Sequence, residues 1–212
     1  MARTGRLFVI SGPAGAGKSK IVETVLASHS DVGLSVSCTT RAPRPGEVDG
    51  VSYHFVTEER FDELIEQGAF YEWAHVHQNR YGTLKSAVQA ELDKGRDLIL
   101  EIDVQGCLQV MAQNPEATGI FVCPPSRENL EKRLRDRGTE TEESIRVRLG
   151  NVAREVATAY QYQYIIVHHD WSDVPDALNI ASEQVYSIIA AKRLEKENNL
   201  EFLDGLVKSL ND

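Results

Sequence analysis

Leu7-Phe8-Val9-Ile10-Ser11-Gly12-Pro13-Ala14-Gly15-Ala16-Gly17-Lys18-Ser19 joins a short apolar run to a glycine-rich loop that fits G-x-x-x-x-G-K-[ST] at every fixed position. Glycines at 12, 15 and 17 admit backbone conformations barred to other residues, so successive N–H groups can turn inward on an anion. A nest of phosphate size results. Lys18 adds a mobile positive charge, Ser19 offers a hydroxyl to Mg²⁺, and both open a helix whose N-terminal dipole favours anions. A chance glycine turn would lack the context present here, an apolar strand before the loop and an amphipathic helix (Ile21, Val22, Val25, Leu26) after it.

Outward from that loop the chain alternates. Strand-like runs at 7–11, 98–102, 120–122 and 164–167 are separated by helical patterns at 18–29, 104–112, 126–137, 142–160 and 174–197. The fold class is therefore α/β, a parallel sheet with helices on both faces. Ser126 reads as an N-cap with Gly138 as the C-terminal stop, and Thr139-x-x-Glu142 has the form of a capping box. With 212 residues, 42% apolar and 26% charged, the chain can bury a sizeable core. A net charge of −9 argues against a general nucleic-acid or membrane-surface binder and leaves small nucleotides as the expected partners. No run approaches the ~20 apolar residues of a membrane span. Cys38, Cys107 and Cys123 lack metal-ligand spacing and read as small buried hydrophobes, reduced as in a cytoplasmic protein.

Between residues 34 and 94 the texture changes to short alternating segments around a single helical pattern at 58–67. This reads as an inserted, half-exposed β unit. Within it, Thr39-Thr40-Arg41-Ala42-Pro43-Arg44-Pro45-Gly46-Glu47 sets two arginines three apart in a proline-stiffened loop. They are either a phosphate clamp or a solvated surface pair. Tyr53 and Tyr81 can add hydroxyls to the same phosphate, and Glu72, among Phe70, Tyr71 and Trp73, is either an exposed strand position or a ligand contact. The charged run from Arg135 to Glu143 reads as a mobile lid or as a solvated helix connection.

Taken together, these stretches resemble the guanylate kinases of the nucleoside-monophosphate kinase group. The resemblance rests on the loop at 10–19, Ser35-Val36-Ser37-Cys38-Thr39-Thr40-Arg41-Ala42-Pro43-Arg44, Gly46-Glu47-Val48-Asp49-Gly50, Phe70-Tyr71-Glu72-Trp73-Ala74, Tyr81-Gly82-Thr83, Leu100-Glu101-Ile102-Asp103-Val104-Gln105-Gly106 and Arg137-Gly138-Thr139-Glu140. It implies a five-stranded core over 1–33 and 84–212 with a lid at about 135–148, and a small mixed α+β GMP-binding domain inserted at 34–83. The implied reaction is phosphorylation of GMP or dGMP by ATP with Mg²⁺, in purine nucleotide metabolism and GMP recycling.

The roles carried over by resemblance fall into sets. Gly12, Pro13, Ala14, Gly15, Ala16, Gly17, Lys18, Ser19, Arg133 and His168 would bind ATP, and Lys18, Arg41, Arg137 and Arg148 would act on the transferring group. Arg41, Arg44, Tyr53 and Tyr81 would hold the GMP phosphate, Ser37, Glu72 and Thr83 would read the guanine, and Glu101 and Asp103 would lie near base, ribose or metal. Ser19 and Asp103 are the expected metal ligands.

Two positions depart from the family pattern. Lys20 stands where many relatives carry a second hydroxyl, and His168-His169-Asp170 where the family often shows Asn-Asp-Asp. The rival reading is a non-catalytic guanylate-kinase-like binding module, which typically loses the loop lysine and lid arginines that this chain keeps. At the tail, Leu200, Leu203, Val207 and Leu210, with Phe202 and Leu206, mark an amphipathic helix that either docks on the chain's own core or pairs subunits in a homo-oligomer.

Overall fold

The computed structural model describes residues 4–76, 78–136, 141–170 and 172–211. In chain order the strands are β1 (Leu7–Ser11), β2 (Val32–Leu34), β3 (Cys38–Thr39), β4 (His54–Phe55), β5 (Phe70–Val76), β6 (Asn79–Leu84), β7 (Asp97–Glu101), β8 (Thr118–Cys123) and β9 (Tyr164–Val167). The helices are α1 (Lys18–Ser28), α2 (Glu58–Glu66), α3 (Lys85–Leu92), α4 (Val104–Gln113), α5 (Arg127–Asp136), α6 (Glu142–Ala157), α7 (Ala177–Arg193) and α8 (Leu200–Asn211).

Five strands form one parallel sheet in the order β2-β7-β1-β8-β9. β1 sits at its centre, and its side chains alternate between two cores. Phe8 and Ile10 pack with residues of α1 and α7 on one face, while Leu7 and Val9 pack with Val88 and Leu92 of α3 and with Val104, Cys107 and Val110 of α4 on the other. A strand covered on both faces needs an unbroken apolar run, which is what β1 supplies. Because all five strands point the same way, the loops at their carboxyl ends gather along one edge, where ligands bind in open α/β sheets.

A second sheet, of order β4-β3-β6-β5, stands apart with its own small core of Cys38, Phe61, Leu64 and Phe70. Buried Arg80 ties this unit together: its Nε donates to Glu58 (2.8 Å), it pairs with Asp62, and its guanidinium lies over the Phe61 ring. Among the described residues no helix is long and apolar enough to cross a membrane.

The structure departs from the sequence expectations in several places. β2 lies in the main sheet, so Leu34 belongs to a core strand and not to the opening of the inserted unit. The 34–94 stretch holds a second helix, α3. Helix α7 starts at Ala177 and not at 174, since the residue before Pro175 is biased away from helical angles and Asp176 adopts φ 62°. The cap of α6 is Thr141, whose hydroxyl accepts from Ser144 N at 3.2 Å; the expected capping residue Thr139 and stop residue Gly138 lie outside the described residues. Ser126 does cap α5, accepting from Asn129 N. No residue of α8 is buried, so the tail does not dock on the chain's own core.

Candidate active site

The β1–α1 loop is built for an anion at the level of the backbone. Gly12, Gly15 and Gly17 all have positive φ (143°, 88° and 94°). At Gly12 a Cβ would stand 2.0 Å from the Val122 carbonyl oxygen, so the close approach of loop to β8 requires glycine there. Helix α1 has Gly17 at its N-cap, no side-chain cap and no acidic residue in its first turn. Its first N–H groups therefore lack the side-chain acceptor that Thr57 gives α2, Asp103 gives α4 and Thr141 gives α6. Lys18 Nζ lies across the loop and donates to the carbonyls of Gly12 (2.6 Å) and Pro13 (3.1 Å).

Behind the loop sit the two other expected donor-side residues. His168, just past β9, directs Nδ1 at the Ala16 carbonyl at 2.9 Å. Arg133, on α5, donates from Nη1 to the same carbonyl (3.2 Å), from Nη2 to the His168 carbonyl (2.8 Å) and from Nε to Asp170 (2.6 Å). The structure thus places Arg133 as a brace between α5, the loop and the end of β9, with each guanidinium nitrogen engaged by protein. Burial holds the His168 imidazole below its ordinary pKa, against the raising influence of the Ala16 carbonyl.

At the carboxyl edge of the sheet Ser19 Oγ donates to Glu101 Oε1 at 2.6 Å. Glu101 ends β7, which pairs with β1 through Ile10. This puts Glu101 beside the expected metal-side hydroxyl, the metal alternative among the base, ribose and metal neighbourhoods that the resemblance left open for it. Asp103 caps α4, accepting from Gly106 N at 2.8 Å. Among the described residues no three His, Cys, Asp or Glu side chains form a metal cage.

Glu72, on β5, accepts from Thr83 Oγ1 of the neighbouring strand β6 at 2.7 Å. It reaches over the start of α4, where a Cβ on Gly106 would lie 3.2 Å from its Oε2. Burial pushes this carboxyl above the usual carboxylate range, and the negative charge of Asp103 acts in the same direction. Glu72, Thr83 and Asp103 thus share one neighbourhood. Ser37 stands immediately before β3, and its carbonyl accepts from His54 N at 2.8 Å.

The phosphate-clamp candidates form another cluster. The Arg41 guanidinium lies 5.3 Å from the Tyr53 ring centroid, and the Tyr53 and Tyr81 rings meet edge-on at 5.9 Å. A residue to which the sequence reading gave no role completes it. Glu47 accepts from Arg41 Nη2 with both oxygens (2.7 and 2.9 Å) and from Arg44 N (2.7 Å). The Arg44 side chain is exposed.

Arg148 lies on α6, and Arg137 is outside the described residues. The sequence reading also passed over Glu155. Burial raises its carboxyl pKa, and it lies within Coulombic reach of Lys18, Asp103 and Arg148. The available signal was its spacing of seven from Arg148, two helical turns on one face of α6.

A family model described as guanylate kinase matches residues 4–185. The guanylate kinase of Shewanella sp. (strain MR-7) is 42% identical over 99% of both chains. That of Desulfotalea psychrophila is 47% identical over 89% of this chain and 90% of its own. The crystal structure of guanylate kinase from Anaplasma phagocytophilum is similar at a TM-score of 0.66 and 30% identity, covering 92% of this chain and 89% of that one. A matched family model that spans the loop, both sheets, α5, α6 and the first half of α7, together with relatives similar along nearly the whole length, establishes that the chain belongs to the guanylate kinase family.

Proposed function

We propose that the protein transfers the terminal phosphoryl group of ATP directly to the phosphate of GMP, or of dGMP, giving ADP and GDP. Family membership carries the reaction class, and the arrangement of Glu72 is the observation that carries the choice of acceptor. A carboxylate oriented by Thr83 can accept from the N1–H and amino group of guanine. Adenine has no proton at N1 and would leave that carboxylate without the base donors it is placed to receive.

In this reading the nest at 12–19 holds the triphosphate of ATP and Lys18 leaves the loop carbonyls for its outer phosphates. Arg41, Arg44, Tyr53 and Tyr81 take the acceptor phosphate, with Ser37, Thr83 and Asp103 around the guanine. Arg148 and Arg137 close from the lid side over 135–148 on the transferring group. The acceptor oxygen is already ionised, so no general base is needed. One P–O bond to the leaving ADP breaks as one to the GMP phosphate forms, and the enzyme aligns two anions and neutralises their charge. A hydroxyl and carboxylates at the sheet edge are hard oxygen donors, so Ser19, with Glu101 beside it and Asp103 two residues further along the chain, fits Mg²⁺. When bound, the ion would offset negative charge on the phosphates. Cytoplasmic nucleotide pools are the setting that this substrate pair implies.

The test is ADP release measured across GMP, dGMP, AMP, CMP and UMP. Turnover with GMP and dGMP far above the rest is expected. Equal turnover with AMP would overturn the assignment of Glu72, and no turnover with any acceptor would favour the binding-module reading.

A further inference from the structure

We infer that His168 is a positioning residue for the phosphate-binding loop, acting through the Ala16 carbonyl on the triphosphate chain and not on the donor base. The inference rests on the reading of residues 12–19 as the ATP site.

The geometry is a matter of one peptide plane. In a trans peptide the carbonyl and the N–H that follows it point to opposite sides. The oxygen of Ala16 is drawn outward by two donors, His168 Nδ1 at 2.9 Å and Arg133 Nη1 at 3.2 Å. The N–H in the same plane is that of Gly17, so the pull aims it toward the interior of the nest. Neither donor is loose. Backbone pairing to β8 fixes His168, whose N donates to the Cys123 carbonyl at 2.9 Å. Arg133 is held by Asp170, which also accepts from Asn129.

The imidazole also lies against Gly17 itself. A Cβ built there would stand 2.3 Å from Nδ1 and 2.6 Å from Cε1 of His168. Gly17 is therefore required twice, by its φ of 94° and by the ring packed on its α-carbon. A carbonyl can only accept, so Nδ1 carries the proton and Nε2 is the ring's acceptor nitrogen. Protonating the ring would fill Nε2 and leave the Nδ1–H bond to Ala16 in place. The charged or titratable groups around it, Arg133 from α5 and Asp170 and His169 from its own segment, do not alter that ordering of the two nitrogens.

Amide substitutions separate the two ring nitrogens. His168→Asn places an N–H at the branch position of Nδ1, His168→Gln reaches toward the position of Nε2, and His168→Phe keeps a flat ring without a donor. Each variant is compared with the unmodified enzyme for the inhibition constant of inorganic triphosphate against ATP, the KM for ATP, the KM for GMP and the melting temperature. Inorganic triphosphate has no base, so it reports the nest alone. In His168→Phe and His168→Gln, the triphosphate inhibition constant and the KM for ATP should rise together by about tenfold, the scale of one well-placed hydrogen bond. The KM for GMP should stay put, and His168→Asn should restore both donor constants. A rise in the KM for ATP with the triphosphate constant unmoved, or rescue by Gln and not by Asn, would overturn the inference and assign His168 to the base. A Phe variant that melts early leaves the Asn and Gln comparison to decide. An unmodified enzyme without ATP-to-GMP transfer would remove the underlying reading instead.

Discussion

In the function proposed above, the donor and acceptor sides of this molecule would hold phosphate by different means. The β1–α1 loop uses main-chain N–H groups, set by glycines and by a helix start that no side chain caps, and it is braced from behind by His168 and Arg133. The acceptor clamp uses a long side chain, and Arg41 is already engaged by both oxygens of Glu47. Backbone donors tied into a sheet need little reorganisation to receive an anion. A guanidinium that shares its charge with a carboxylate receives one by rearranging its partners. The first arrangement suits a chain of phosphates that every donor nucleotide presents, and the second suits an acceptor that must be told apart by its base.

Lys18→Ala should break the donor side most severely. The lysine head donates to loop carbonyls and lies outside the hydrophobic cores, so the fold should persist while turnover falls roughly a hundredfold or more, the scale of removing one preorganised electrostatic group. Circular dichroism and a saturation assay on the purified variant check both halves. Next in size is Glu72→Gln on the acceptor side, which turns one accepting oxygen into a donor facing guanine donors. The ratio of kcat/KM for GMP to that for AMP should fall by about tenfold to a hundredfold, and an unchanged ratio would show that another group reads the base.

Acidity should sharpen the contrast. Burial lets the Glu72 carboxyl take up its proton above the 4.5 of an ordinary glutamate, and the ionised form is the one that accepts from guanine. The KM for GMP should therefore rise on acidification while the pH is still above 4.5. His168 is shifted the other way, below 6.5, and its Nδ1 keeps a proton in either state. The KM for ATP should stay flat from pH 6 to pH 8, measured at saturating GMP.

The sides also differed in how far the sequence exposed them. The loop is one contiguous run whose residue types answer to local backbone geometry, so β1, the nest and α1 were legible position by position. β9 was equally plain, as an apolar run bounded by polar residues. The short strands β2 and β3, of three and two residues, carry too little alternation to signal a sheet. α3 went unread because only Val88 and Leu92 of its eight residues are buried and its start has no side-chain cap. In the site, Arg133 and His168 were named, but their shared partner Ala16 lies 117 and 152 residues away along the chain, and no local pattern encodes such a contact. Glu47 was quoted inside its motif and given no role for a similar reason, since its partnership with Arg41 depends on how a proline-rich loop folds back.

The smallest effect is expected at the tail. The periodicity of 200–210 correctly marked an amphipathic helix, yet periodicity says only that a face is apolar, not what covers it. Phe202 is 68% exposed and Leu210 76%. Ending the chain after Asn199 should leave turnover within about twofold and the melting temperature nearly unchanged, since no residue of α8 is buried. Light scattering on the same variant reports whether α8 joins subunits: a fall in mass supports pairing, and an unchanged mass removes it.

The most direct test follows the phosphoryl group itself. ATP labelled at its terminal phosphorus, incubated with GMP, Mg²⁺ and the enzyme, should place the label at the β position of GDP, one for each ADP formed. Label appearing in inorganic phosphate, or ADP formed at the same rate without GMP, would contradict direct transfer between the two sites.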